Sequence, residues 1–355
     1  MSITIKQLAD KLGTSTATVS RVLNDRPGVS AEMRQRVLQA AQELKFRPSA
    51  AARALSTSRS RSVAFIVRKL HEPWSADPFY PLIMMGAQRE LAANGYGLFT
   101  YWITAEELDA GTHFSWFDER SVDGLIIAGP ELSNPNIIRL ASLGLPVVLA
   151  ANASSRYPID SLSSADREGG YTATTHLIGH GHRHIVHLSG PPDWYPNSSR
   201  RDGYLQAMQE HDLEPKIIIM PRLEIEQGTE AFSQAVQRYP EVTAIFSTND
   251  GTAIGAVRAA KELGRRVPED LAVVGFDDVY WATLFEPSLT TLSIQKEQIG
   301  RLAANRLLEM LKHGQQRPVR SYVENELIIR SSCGCPKAVA GELPEKEVTY
   351  LENTE

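Results

Sequence analysis

Cysteine is nearly absent: the chain of 355 residues has two, Cys333 and Cys335. One Cys-x-Cys pair makes no disulfide framework and supplies too few ligands for a structural zinc site, so it reads as a reduced thiol pair without an assigned role. No apolar run approaches the length of a membrane span. The start, Met1-Ser-Ile-Thr4, has no basic segment leading into an apolar one, so no signal peptide is visible. These absences point to a cytoplasmic protein with no membrane partner. The phosphate-cradling pattern Gly-x-x-x-x-Gly-Lys-Ser/Thr is missing, and no nucleophile–base constellation stands out. An enzyme, or a chain built around a bound cofactor, is therefore not expected.

What is present divides unevenly. Hydrophobic residues make up 42% of the chain, enough for sizeable cores, and the length suits two or three domains. Residues 1–62 hold 11 Lys and Arg against 4 Asp and Glu; the remainder hold 26 against 38. A basic head on an acidic body fits a head that meets phosphate.

The head reads as three short helices. Thr4 is placed to cap a helix carrying Ile5, Leu8, Ala9 and Leu12 on one face, and Gly13 stops it. Ser15 caps a second helix after a turn too short for an antiparallel pair. At 100° per residue, Val19, Val22 and Leu23 fall on one side of this helix, and Thr16, Ala17, Ser20 and Arg21 on the other. That outward face is small enough to approach another surface closely, as a recognition helix in the major groove must. Arg21 can place its planar fork on guanine, Ala17 offers a methyl to thymine, and Thr16 can donate to a base or touch a methyl. Thr18, Ser20, Asn24 and Ser30 suit backbone phosphates, which position a head without reading sequence; Thr4 can cap and touch phosphate together, and Ser15 is also expected to bind DNA. From Ser30 a third helix carries Val37, Leu38, Ala41 and Leu44 as the apolar set that closes the core.

After these helices come Phe46-Arg-Pro48, Ala51-Ala-Arg-Ala-Leu55 and a polar run, Ser56 to Ser62. Together with Thr14-Ser-Thr-Ala-Thr-Val-Ser-Arg-Val-Leu-Asn24 and Val29-Ser30, this stretch resembles the head and hinge of the LacI/GalR family of bacterial transcription regulators, and the likeness runs on to about residue 332. The resemblance implies that Thr16, Ala17 and Arg21 set operator choice. It also implies a hinge helix near 49–55 that orders on double-stranded operator DNA, with Arg53 beside the duplex and Leu55 wedged into the minor groove.

The body alternates strands and helices. Val63–Val67, Leu98–Tyr101, Val122–Ala128 and Leu145–Ala150 read as strands, with a helix at about 81–94. A second series holds a helix at about 169–180, strands at 184–189, 244–247 and 271–276, and a helix at about 251–263. Two such series imply two parallel-sheet lobes with ligand bound between them, at the carboxyl ends of strands. The family resemblance rests here on Gly169-Gly-Tyr171, His176-Leu-Ile-Gly-His-Gly-His182, Gly190-Pro191, Arg200 with Gly203-Tyr204, Asn249-Asp250, Gly275-Phe-Asp-Asp278 and Glu286–Thr291. It implies a fold with a small all-α helix-turn-helix head and an α/β body of two Rossmann-like lobes, of periplasmic-binding-protein type I. The expected division is a head over 1–48, a hinge over 49–62, a body over 63–332 and a polar tail over 333–355. Lobe 1 takes about 63–162 and 292–322, and lobe 2 about 163–291 and 323–332, with crossovers near 161–164, 290–293 and 321–325.

By position in that family architecture, Asp77, Phe79, Tyr80, Arg200, Asn249, Asp277 and Trp281 fall where the ligand is held, with Trp194 in a nearby loop. Carboxylates, an amide and a guanidinium among aromatic faces suit a sugar. Arg200 is expected to precede the lobe 2 helix. Two departures from the family pattern stand out: extra residues before Pro78, including His71-Glu-Pro-Trp74, and Ala151-Asn152 where Asp-Arg is usual. His176, His180, His182, His184 and His187 do not share one face, so no metal site is expected. The tail lacks the leucine heptads that tetramerise some relatives, which leaves a homodimer. The expected function is a dimeric repressor on a palindromic operator, released by a sugar effector. Its rivals are a cytosolic sugar-binding protein and a sugar-modifying enzyme using Asp77 and Asp277, neither with a DNA role.

Overall fold

The computed structural model describes residues 3–23, 26–44, 46, 59–68, 79–103, 121–129, 138, 141–142, 144–154, 157–314 and 317–334. Asn24, Arg53, Leu55, Asp77, the 71–74 segment, Cys335 and the tail after it lie outside the described residues.

The head consists of α1 (Ile5–Leu12), α2 (Thr16–Leu23) and α3 (Ala31–Glu43). Each begins where a hydroxyl satisfies a backbone amide that has no helical partner. Thr4 Oγ1 accepts from Gln7 N while Gln7 Oε1 accepts from Thr4 N, a reciprocal capping box. Ser15 Oγ accepts from Thr18 N, and Ser30 Oγ from Met33 N. Gly13 ends α1 at φ 64°, a left-handed conformation that a Cβ would penalise, and so turns the chain into α2. Leu8, Ala9, Val19, Val22, Val37, Ala40 and Ala41 form the core. The expected apolar set of α3 needs one correction. Leu38 is 51% exposed and Ala40 takes its place inside, because Val37, Ala40, Ala41 and Leu44 share the stripe facing α1 and α2.

The body has two six-stranded sheets. The first comprises β1 (Ser62–Arg68), β2 (Gly97–Ile103), β3 (Gly124–Ala128), β4 (Val147–Ala150), β5 (Asp160–Ser164) and β11 (Arg320–Val323), in the order β11-β5-β4-β3-β1-β2. The second comprises β6 (Ile185–Ser189), β7 (Lys216–Ile219), β8 (Ala244–Ser247), β9 (Ala272–Asp277), β10 (Thr290–Ser293) and β12 (Glu326–Ile328), in the order β12-β10-β9-β8-β6-β7. In the second sheet only the β10–β12 pair is antiparallel. Strands β3 and β4 are buried throughout and carry Val, Leu and Ile, as central parallel strands covered on both faces do.

The helices are α4 (Phe79–Ala93), α5 (Asp166–Gly179), α6 (Tyr195–Glu210), α7 (Ile225–Arg238), α8 (Asp250–Glu262), α9 (Trp281–Leu284) and α10 (Lys296–His313). The chain steps between sheets after Ser164, after Ser293 and after Val323. Arg200 lies inside α6 rather than before it. The helix starts at Tyr195 with Pro196 in its first turn, where proline's missing N–H costs no hydrogen bond.

Two glycine contacts set the packing of α4 on α10. Gly300 of α10 lies against the Ile83 carbonyl of α4, and Gly86 of α4 against the Glu297 carbonyl, so a Cβ at either position would collide with backbone. We expect Gly300→Ala to destabilise the body by ~1–3 kcal/mol, through forced separation of the two helices. A urea melt with an unchanged midpoint would refute this contact.

Candidate functional site

On the head, Thr16, Ala17 and Arg21 are exposed on one side of α2, while Val19 and Val22 on the other are buried. Ser20 and Thr18 are half-buried, and Thr18 Oγ1 lies 2.9 Å from Ser15 Oγ. Thr4, Ser15 and Ser30 are exposed caps, so their hydroxyls already serve helix ends. The surface left by these side chains is short and bears one cation, Arg21.

In the body, Arg200 is the centre of the polar cluster. It is 5% exposed, and its guanidinium carbon lies 3.8 Å from the centroid of the Phe276 ring. Its Nε donates to Asp166 Oδ1 at 2.8 Å, and its Nη1 lies 3.3 Å from Asp277 Oδ1 and donates to the Thr248 carbonyl. Glycines make this approach possible. Gly170 of α5 meets the backbone carbonyl of Arg200, and Gly203 of α6 meets that of Arg167, leaving no room for a Cβ at either. The two helices therefore close far enough for the Arg200 side chain to reach the first turn of α5.

Asp277 ends β9 at φ 108°, followed by Asp278 at φ 52°; two successive non-glycine residues with positive φ are costly and need outside support. Lys296 Nζ supplies it, donating to the carbonyls of Asp277 and Asp278. Arg330 Nη2 reaches Asp278 Oδ1 at 2.6 Å. Lys296 also lies 5.8 Å from the Phe79 ring centroid, linking the start of α4 to the end of β9. Phe79 and Tyr80 meet edge to face at 5.2 Å, with Tyr80 buried. Arg200, Asp277, Phe79 and Tyr80 are thus tied into one region.

Other expected site residues are occupied locally. Asn249 caps α8: its Oδ1 accepts from Thr252 N at 2.9 Å and its Nδ2 donates to the Leu223 carbonyl at 3.3 Å. Trp281 opens α9 and Trp194 precedes α6, both half-buried. Asn152, at the family departure after β4, is buried and donates to the Gly129 carbonyl at 2.7 Å, so its amide holds a loop. The histidines have separate surroundings. His187 stacks between Tyr204 and Phe246, and burial pushes its pKa down to about 3. His176 faces His180, and burial brings it to about 4. His182 meets Thr243, and His184 meets Lys216.

Sequence reasoning missed Asp166, Lys296 and a bridge between lobes, Tyr195 Oη to Tyr322 Oη at 3.1 Å. Asp166 could have been suspected as an acid three residues before Gly169-Gly170; nothing in the sequence marks the tyrosine pair. Burial raises the Asp166 carboxyl, against the opposing pull of Arg200.

The comparisons agree with this geometry. Residues 4–49 match the model for bacterial regulatory proteins of the lacI family, and 174–333 the periplasmic binding protein-like domain. The chain is 32% identical over 332 residues to the HTH-type transcriptional repressor PurR of Pasteurella multocida, covering 93% of this chain and 98% of that protein. The PurR of Haemophilus influenzae is likewise 32% identical over 334 residues, with the same coverage. The chain belongs to the LacI family. Among solved structures, a Lac repressor dimer bound to operator and the anti-inducer ONPF superposes with a TM-score of 0.78 at 25% identity, covering 94% of this chain and 99% of that one. A complex of the transcriptional regulator CelR with cellobiose gives 0.71 at 28%, covering 93% and 99%. The chain is a ligand-responsive, DNA-binding transcriptional repressor and, like its family, not an enzyme. Among the described residues no helix is long and apolar enough to cross a membrane.

Asp250, fully buried beside this site, accepts from Val279 N at 2.9 Å and from Thr291 Oγ1 at 2.6 Å. Burial, then the nearby Asp277 charge, pushes its pKa up to about 8. The fold therefore favours its protonated form. The stability it contributes is full below the unfolded pKa of about 4 and is lost as pH rises towards 8. Asp250→Asn keeps one acceptor for Val279 and can donate to Thr291. Its melting temperature should fall less between pH 5 and 8 than that of the wild type; parallel curves from a scanning calorimeter would show that Asp250 is not the titrating group.

Proposed function

We propose that the chain is a cytoplasmic homodimeric repressor that reads a near-palindromic operator with α2 and is released by a neutral sugar. The head to residue 48 and the hinge over 49–62 take the DNA; the body over 63–332 takes the effector and pairs the protomers. Half-sites about one helical turn apart suit paired recognition helices. In the head, Thr16, Ala17 and Arg21 read bases, with Thr4, Ser15, Thr18, Ser20, Asn24 and Ser30 on phosphates and Arg53 and Leu55 in the hinge.

In the body, Arg200, Asp277, Phe79 and Tyr80 hold the sugar, with Asp77, Asn249 and Trp281 at its edges. One observation carries the sugar reading: the Arg200 guanidinium is shared between two carboxylates, Asp166 and Asp277, and packed on Phe276. Lys296, the neighbouring cation, donates to three backbone carbonyls. A site so balanced offers no surplus positive charge to a phosphate, while its acceptors and aromatic rings suit hydroxyls and a sugar face. The likeness to a regulator solved with cellobiose supports the same class.

Sugar binding would shift the lobes between two arrangements with different hinge spacing. The coupling to DNA equals the difference in the sugar's affinity for the two.

The test is a thermal-shift screen of the full-length protein against neutral mono- and disaccharides, sugar phosphates and purines. A sugar at a hundred times its Kd should add about 2.7 kcal/mol of stability. Asp277→Ala should abolish that shift, and the same sugar should release operator DNA in an anisotropy titration. Stabilisation only by phosphorylated sugars or purines would sink the neutral-sugar reading. In the head, Arg21→Ala should weaken operator binding by ~1–3 kcal/mol with sugar affinity unchanged; equal operator affinity would remove Arg21 from base recognition.

A further inference from the structure

Asp166 opens α5, two residues beyond the end of β5, where the chain steps from one sheet to the other. It is 3% exposed. Its Oδ1 is well served, accepting from Arg200 Nε at 2.8 Å and from Ser164 Oγ at 2.9 Å. Its Oδ2 is equally buried, and no hydrogen bond reaches it among the described residues.

Charge balance does not explain this second oxygen. Arg200 already has Asp277 at 3.3 Å, so it does not need the second oxygen of Asp166 as a partner. Leaving a buried acceptor without a donor is costly, and more so for a charged one. A role confined to packing would be met more cheaply by a neutral side chain on Arg200. Asn325, on the third crossover, repeats the pattern beside it. Its Nδ2 donates to the Ala165 carbonyl at 3.0 Å, and its buried Oδ1 has no hydrogen-bond partner among the described residues. Two acceptors on either side of Ala165 await donors that the described side chains do not supply.

We propose that Asp166 is a specificity-determining residue of the effector site, its Oδ1 fixing Arg200 and its Oδ2 accepting a hydrogen bond from a hydroxyl of a neutral, polyhydroxylated effector. This rests on the sugar-sensor reading above and adds which ligand group is selected. Its Oδ1 takes two donors and its Oδ2 none among the described residues, so the group the ligand presents there is a donor. A deoxy position leaves the oxygen unpaired, and a carboxylate or phosphate at the same point meets like charge. Asp166 therefore discriminates among sugars as well as holding the arginine in place.

The experiment is calorimetric titration of the full-length protein with cellobiose, maltose, glucose and ribose, in the wild type and in Asp166→Asn. Asparagine keeps an oxygen for Arg200 and Ser164 but turns the other atom into an amide donor. Affinity for the responding sugar should fall by about tenfold or more, the scale of one hydrogen bond to a charged group. Monodeoxy derivatives of that sugar supply the readout that a purely structural role would not move. One deoxy position should cost the wild type about tenfold and Asp166→Asn little further, because the partner atom is already lost. Equal losses in both proteins overturn the assignment, as does an Asp166→Asn variant that binds the parent sugar like the wild type. Should the variant not fold, the wild-type series still decides: if no single hydroxyl matters by more than about threefold, the proposal fails. A wild type that ignores every neutral sugar overturns the sugar reading and this inference with it. A response that Asp166→Asn shares in full overturns this inference alone.

Discussion

A buried guanidinium dictates much of the body's design. Arg200 can stay charged out of water only if its partners are brought to it, and they arrive from three places: Asp166 from α5, Asp277 and the Phe276 ring from β9, and the Thr248 carbonyl from just past β8. Removing one partner from such a group is worth ~3–5 kcal/mol, because the remaining charge is left uncompensated. Several sequence features follow from that requirement. Gly170 and Gly203 let α5 and α6 touch backbone to backbone, which sets the reach of the arginine. Asp277 and Asp278 tolerate positive φ because Lys296 and Arg330 hold the turn from outside.

The same construction suits a protein that responds to a ligand. Asp166 lies on the first crossover and Lys296 just past the second, so the segments that join the lobes also contact Arg200 and the Asp277 turn. The tyrosine hydroxyls of α6 and β11 meet across the lobes at an exposed edge, where a small change in lobe angle would part them. A ligand that prefers one lobe arrangement shifts the population of the two arrangements, and the crossovers that join the lobes link them directly. The head works by simpler means. Three capped helices bury seven small or branched side chains, and Thr16, Ala17 and Arg21 remain outward on α2.

The periodicity of the sequence was enough for the head, because local rules govern it: hydroxyl caps, a glycine with positive φ and a 3.6-residue stripe. Even there Leu38 and Ala40 exchanged roles, since both lie within one residue of the stripe and only packing against α1 and α2 chooses between them. The alternation of apolar runs and helices gave the two-lobed α/β body for the same reason, and family position picked out Arg200, Asp277, Phe79 and Tyr80.

By itself, then, the sequence determined which segments become helix or strand, which side of α2 faces outward and which charged residues fall at strand ends. Pairing was decided by the tertiary structure. Asp166 and Arg200 are 34 positions apart and Phe79 and Lys296 far more, and no local rule links them. Asn249, expected near the ligand by family position, also caps α8, because Thr252 N lies within reach of its side chain. Whether a polar side chain faces a partner, a helix end or an empty acceptor's place depends on which backbones approach, and that is fixed only when the two sheets and their crossovers have assembled.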